Sequence, residues 1–184
     1  MKERVSWLDA LWFQVNHQLK SMFEDFGKTN MYTKRKSFVI GVSSVCYLFP
    51  VLALESTAAK LSGDNTNLRL LQLLFCVQTF LSFYSDYWTT GINHISHGID
   101  RWFATSMTVL MTFMGVHFVS TSTMLLLLPP LLCFFNSKLA VKKRAFGSYI
   151  FYHTLWHIVG GSMCAYVCYL VAQTQTGVSF LQGR

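Results

Sequence analysis

SYIFYHTLWHIVGG, Ser148 to Gly161, places two histidines four residues apart inside an apolar run that extends from Gly147 to Ala172. Crossing the hydrocarbon core of a bilayer takes about 20 helical residues, so this run reads as a membrane helix. Four blocks of the same kind precede it: Ser37 to Ala59, Leu68 to Trp88, Trp102 to Ser120 and Thr121 to Asn136. Composition agrees, with 52% hydrophobic and 12% charged residues where a soluble domain carries about 25% charged. The expectation is an all-α polytopic transmembrane helix bundle of about five spans, a single domain over residues 37–172 with a short polar tail at 173–184. No internal repeat, low-complexity tract or long linker divides it. Adjacent prolines, Pro129 and Pro130, remove two backbone donors and predict a kink in the fourth block.

Residues 1–36 differ in pattern. Leu8, Leu11, Trp12, Val15, Leu19, Met22, Phe23 and Phe26 recur at intervals of three and four, and Asp9, Gln14, Asn16, Lys20, Glu24 and Asp25 fall between them. A cleavable signal needs an unbroken apolar core, which this segment lacks. It reads as an amphipathic helix lying in the membrane interface, with Trp7, Trp12 and Phe13 at headgroup depth. The other reading is a helix docked on a protein partner.

A net charge of +7 raises the question of nucleic acid. The basic residues sit in short segments beside the apolar blocks, not on a stripe interleaved with exposed aromatics, so membrane lipids are the expected partner and nucleic acid is not. With five crossings, twelve of the fifteen basic residues share a side with the N-terminus and the loops at Thr89 to Arg101 and Ser137 to Phe146. The positive-inside rule then puts the N-terminus in the cytosol and the C-terminus outside or in a lumen. Cys46, Cys76, Cys133, Cys164 and Cys168 all fall inside apolar blocks. They form neither a disulfide framework nor a zinc-type pair, and read as packing residues.

The same topology brings four of the six histidines to the cytosolic face: His94 and His97 before the third block, His153 and His157 in the fifth. Ser85, Asp86 and Asp100 reach that level too. His153 and His157, one helical turn apart, share a face and can chelate one ion. Polar groups at such depth are costly unless paired or functional. A local hydrogen bond is the plainer reading for each histidine taken alone. His17 and His117 read as structural, and Glu55 and Asp64 are given no role.

FYHTLWHIVGG, preceded by a span ending SFYSDYWTT and one opening GIDRWFA, resembles the CREST superfamily of membrane hydrolases, which includes the alkaline ceramidases and the progestin and adiponectin receptors. In that pattern one helix ends with Ser-x3-His, the next opens with Asp, and the last begins with His-x3-His. Ser85 stands fifteen residues before Asp100, a separation similar to that of the ceramidase branch. Two departures stand out: Thr89 occupies the place of the first histidine, and five blocks replace seven. The resemblance implies zinc held by His153, His157 and a third ligand, His94 or His97. Three protein ligands leave a position for water, as in catalytic zinc sites. Asp100 would accept that water's proton and Ser85 would donate to an oxyanion on a lipid amide or ester. A non-enzymatic relative, acting as a receptor, a lipid remodelling factor or an accessory subunit, is the alternative.

Overall fold

The computed structural model describes residues 36–59, 65–90 and 94–183. Among them the regular structure is entirely helical: α1 Phe38–Ser43, α2 Phe49–Ala58, α3 Thr66–Phe83, α4 His94–Phe118, α5 Leu128–Lys142, α6 Phe146–Val171 and α7 Gln175–Leu181. A 3-10 turn over Ser44–Leu48 joins α1 to α2, a π-turn over Tyr84–Trp88 prolongs α3, and a 3-10 segment over Thr121–Leu127 leads into α5. The interfacial helix expected near the N-terminus lies outside the described residues.

Four of the resulting rods are long and apolar enough to cross a membrane: Phe38–Ala58, Thr66–Trp88, Thr121–Lys142 and Phe146–Val171. They match four of the five expected blocks. The remaining one, α4, has the length at 25 residues but is less apolar, because Thr105, Ser106, Thr108, Thr112 and His117 interrupt its hydrocarbon. Four of its hydroxyls are satisfied within the helix: Thr105, Ser106, Thr108 and Thr112 each donate to the carbonyl four residues earlier. Leu52, Phe80, Leu125, Leu132 and Phe151 all face outward with 60% or more of their area exposed. Such a belt is costly in water and costs nothing against lipid, so the chain is an integral membrane protein.

The prolines act differently from the expected mid-span kink. Pro129 and Pro130 occupy the first turn of α5, where a missing N–H leaves little unsatisfied. Without an N–H at residue 129, the carbonyl of Leu125 has no α-helical donor. The Leu128 N–H bonds it instead, which is the 3-10 spacing seen over Thr121–Leu127.

Packing divides the bundle into two halves. One half is an apolar core of Leu54, Leu68, Phe75, Met111, Met114, Cys168, Val171 and Leu181. The residues after 173 close it, since α7 starts on a Thr174 cap that accepts from Gly177 N–H and buries Leu181 completely. Arg69, bonded to Glu55 and Gln72, ties the first two rods together at that end. Nearer the opposite end, the rod α1–α2 and helix α6 approach so closely that a Cβ on Gly161 would collide with the Cys46 carbonyl. Small residues at such crossings let membrane helices touch backbone to backbone.

Candidate metal centre

Helix α3 ends by widening. The Thr89 N–H donates to the Tyr84 carbonyl at 2.8 Å, the i to i+5 spacing of a π-turn. The Thr89 hydroxyl lies 2.8 Å from the same carbonyl and 2.6 Å from Ser96 Oγ on α4, and Thr90 Oγ1 donates to Ser85 O at 3.1 Å. Thr89, where the resemblance expects a histidine, therefore stabilises the turn and fastens it to α4. On this turn sits Asp86, the only acidic residue of Thr66–Trp88, with its side chain 7% exposed.

Across from it runs α6, which contains no Asp, Glu, Lys or Arg. His153 and His157 lie seven and eleven residues into it, roughly 10 and 16 Å along its axis. Their rings meet edge to face at 4.8 Å. Both Nε2 atoms point at one oxygen, Asp86 Oδ2, at 3.1 Å from His153 and 3.5 Å from His157. Both Nδ1 atoms are engaged behind: His157 with Ser43 Oγ at 2.8 Å, His153 with Ser137 Oγ at 3.3 Å. Four elements thus converge, with α1 and α5 supplying the serines, the π-turn the carboxylate and α6 the imidazoles.

Proton bookkeeping at His157 is informative. Ser43 Oγ has one hydrogen, and the Ile40 carbonyl lies 2.7 Å away to receive it. The Ser43 oxygen then accepts from His157 Nδ1–H, which leaves Nε2 with a lone pair. That lone pair faces a carboxylate oxygen inside a side-chain cluster that is 1% exposed at His157. The Ser82 hydroxyl, 3.5 Å from that nitrogen, can turn its hydrogen to the lone pair, and a cation or a proton between the two facing acceptors would serve as well. Ligand atoms of Asp86, His153 and His157 all lie within 4.8 Å of one another, a spacing at which the three could hold a metal ion.

The expected residues divide between two sets. His153 and His157 come together as anticipated. His97 stands beside the group, its Nδ1 3.7 Å from Asp86 Oδ1, while the side chain of His94 lies outside the described residues. Ser85 and Asp100 make up the other set: Ser85, fully buried, turns its hydroxyl to the Ser82 carbonyl at 3.4 Å, and the Asp100 carboxyl accepts from Gln78 Nε2 at 3.1 Å. His117 stacks on Phe113 and meets Phe118 edge to face, far along α4. Cys164 and Cys168 carry free thiols in the packed interior.

Asp86, Ser43 and Ser137 were not anticipated as members of one site. For Asp86 a signal existed, a lone acid at the end of an apolar span. For the serines none did, since single hydroxyls in membrane helices commonly bond their own backbone.

Between α4, α5 and α6, inward of the polar groups, lies a cavity with roughly 750 Å³ of space unfilled by atoms, part of it open to the outside. Phe75, Met107, Leu131 and Met163 are among its walls, with Gln78 at one side.

Compared with family profiles, curated proteins and solved structures, the chain matches none of them.

Proposed function

We propose that Asp86, His153 and His157 hold a zinc ion and that the protein is a membrane-embedded hydrolase of a lipid amide or ester. The observation that carries this reading is the shared aim of two Nε2 atoms at Asp86 Oδ2, each imidazole held from behind by a serine. Outer partners of this kind orient metal-bound histidines. Zinc in such a site would polarise a carbonyl and acidify water. Two nitrogens and one carboxylate are a common catalytic zinc set. His97, 3.7 Å from the other Asp86 oxygen, is placed to hold a proton released there.

The resemblance to the CREST pattern reads more fully three residues earlier than Ser85. Ser82, 3.5 Å from His157 Nε2, precedes Asp86 by four residues and His97 by fifteen. The spacing is that of the family pattern with the acid and the imidazole exchanged. In this register Ser85 and Asp100 are not ligands.

Purification without chelators, followed by elemental analysis and assay on lipid amides and esters, tests the reading. One zinc per chain, lost in His153→Ala and His157→Ala, is expected. A second reading, a metal-free polar latch, is favoured by the 3.1 Å His153 to Asp86 contact, which satisfies both groups unaided. Metal-free protein whose Asp86→Asn variant is merely less stable would select the latch.

A further inference from the structure

We propose that the turn between α5 and α6 is a binding surface for the headgroup of an anionic phospholipid, held by Lys142, Lys143 and Arg144. The three cations are consecutive and exposed, and Lys138 lies one turn before them with its ammonium 5.1 Å above the Phe134 ring. No acidic residue follows Asp100 in the chain. Of the acids in the described residues, each is engaged elsewhere: Glu55 with Arg69 and Gln72, Asp86 with the histidines, Asp100 with Gln78. Among the described residues the cluster therefore has no counter-ion, and an anion from outside the fold completes it.

The backbone at Arg144 is an independent observation. The Ala145 N–H donates to the Ala140 carbonyl at 2.9 Å and the Arg144 N–H to the Val141 carbonyl at 3.0 Å, the paired bonds of a Schellman helix end. The left-handed position of such an end usually carries glycine. Arg144 stands there instead with φ +56°, the sole non-glycine of positive φ among the described residues. A long cation kept where the backbone favours glycine implies a use for its charge. The setting identifies the anion. The turn joins two rods long and apolar enough to cross a membrane, and Leu139 before it and Phe151 after it are 45% and 60% exposed. A partner that suits both features has a negative headgroup and an acyl chain in the same bilayer, and juxtamembrane clusters of Lys and Arg attract anionic lipids in this way. A soluble anion would gain nothing from the apolar flanks. The cluster shares no residue with the metal group, so the inference does not depend on the hydrolase reading.

The test uses the purified full chain in phosphatidylcholine nanodiscs that carry a trace of photoactivatable phosphatidylserine or, separately, of photoactivatable phosphatidylcholine, with labelled peptides mapped by mass spectrometry. Phosphatidylserine should label the segment 138–151 at least about fivefold above phosphatidylcholine, the ratio that even one cation near the surface provides. Lys142→Gln combined with Lys143→Gln should bring the two probes together. Arg144→Gly removes a charge but suits the turn, so it should lower the ratio in a protein that unfolds at no lower a temperature than the parent. Arg69→Gln, at the other end of the bundle, should leave the ratio unchanged. Equal labelling by the two lipids in the parent, or a ratio that survives either the paired glutamines or Arg144→Gly, would overturn the inference. So would loss of labelling on addition of inorganic phosphate or an RNA oligonucleotide at constant ionic strength, which would assign the cluster to a soluble anion.

Discussion

His153 and His157 present their Nε2 atoms to the same oxygen of Asp86, at 3.1 and 3.5 Å. One turn of α6 separates the two rings, and the carboxylate reaches them from the end of another helix. The geometry joins two rods of the bundle through a single atom.

Replacing Asp86 by Asn retains shape and removes the anionic ligand. Zinc per chain should fall well below that of the parent in elemental analysis after dialysis. Protons compete with the metal for both imidazoles and the carboxylate, and binding releases them. Occupancy in the parent should therefore be complete at neutral pH and lost as the pH falls. Occupancy that is flat under acidification, or intact in Asp86→Asn, would count against a metal at these residues.

Ser43→Ala should leave the three ligands in place but free His157 to turn. Loss of an outer partner of this type lowers metal affinity about 10–100-fold, to be read by competition with a fluorescent chelator. Ser43→Thr should restore part of it. An unchanged affinity in the alanine variant would show that the Ser43 to His157 contact of 2.8 Å does not orient the ring.

Gly160 and Gly161 are adjacent and should respond oppositely. A Cβ at Gly161 runs into the Cys46 carbonyl, whereas one at Gly160 meets nothing within 4 Å. Gly161→Ala should destabilise the protein by about 1–3 kcal/mol, the usual range for overpacking. Gly160→Ala should gain up to about 1 kcal/mol from helix propensity. Unfolding in mixed micelles measures both, and equal effects would contradict the close crossing.

The grouping of basic residues predicts an orientation. Lys138, Lys142, Lys143 and Arg144 cluster at the end of the bundle that holds Asp86 and His153, and Lys36 joins that end by donating to Trp88 O at 2.9 Å. A cysteine introduced at Lys142 should react with reagent from the cytosolic side, and one at Asp64 from the other. The reverse pattern would put the histidine cluster outside.

Much of the bundle is legible without coordinates. Long apolar runs identify four crossing rods because hydropathy needs no knowledge of neighbours. The pairing of His153 with His157 on one face is equally local, since it follows from helical periodicity. The prolines show where local reasoning gives a different answer. Pro129 and Pro130 forbid α-helical bonds wherever they stand, but whether they kink a helix or begin one depends on the turn before them, and here Thr121–Leu127 absorbs the loss as 3-10 spacing. Choosing the third group at the site lay further out of reach. His94, His97, Ser85 and Asp100 carry the expected chemistry, yet Asp86 receives both imidazoles, because a π-turn tethered by Thr89 to Ser96 rotates the end of α3. Ser43 and Ser137 reach the rings from sequence distances of 114 and 16 residues. Sequence alone determined what must lie in the membrane and which residues one helix places side by side. Only the packing of separate helices decided which carboxylate and which serines meet there, since those contacts arise from the relative rotation of rods that no local pattern encodes.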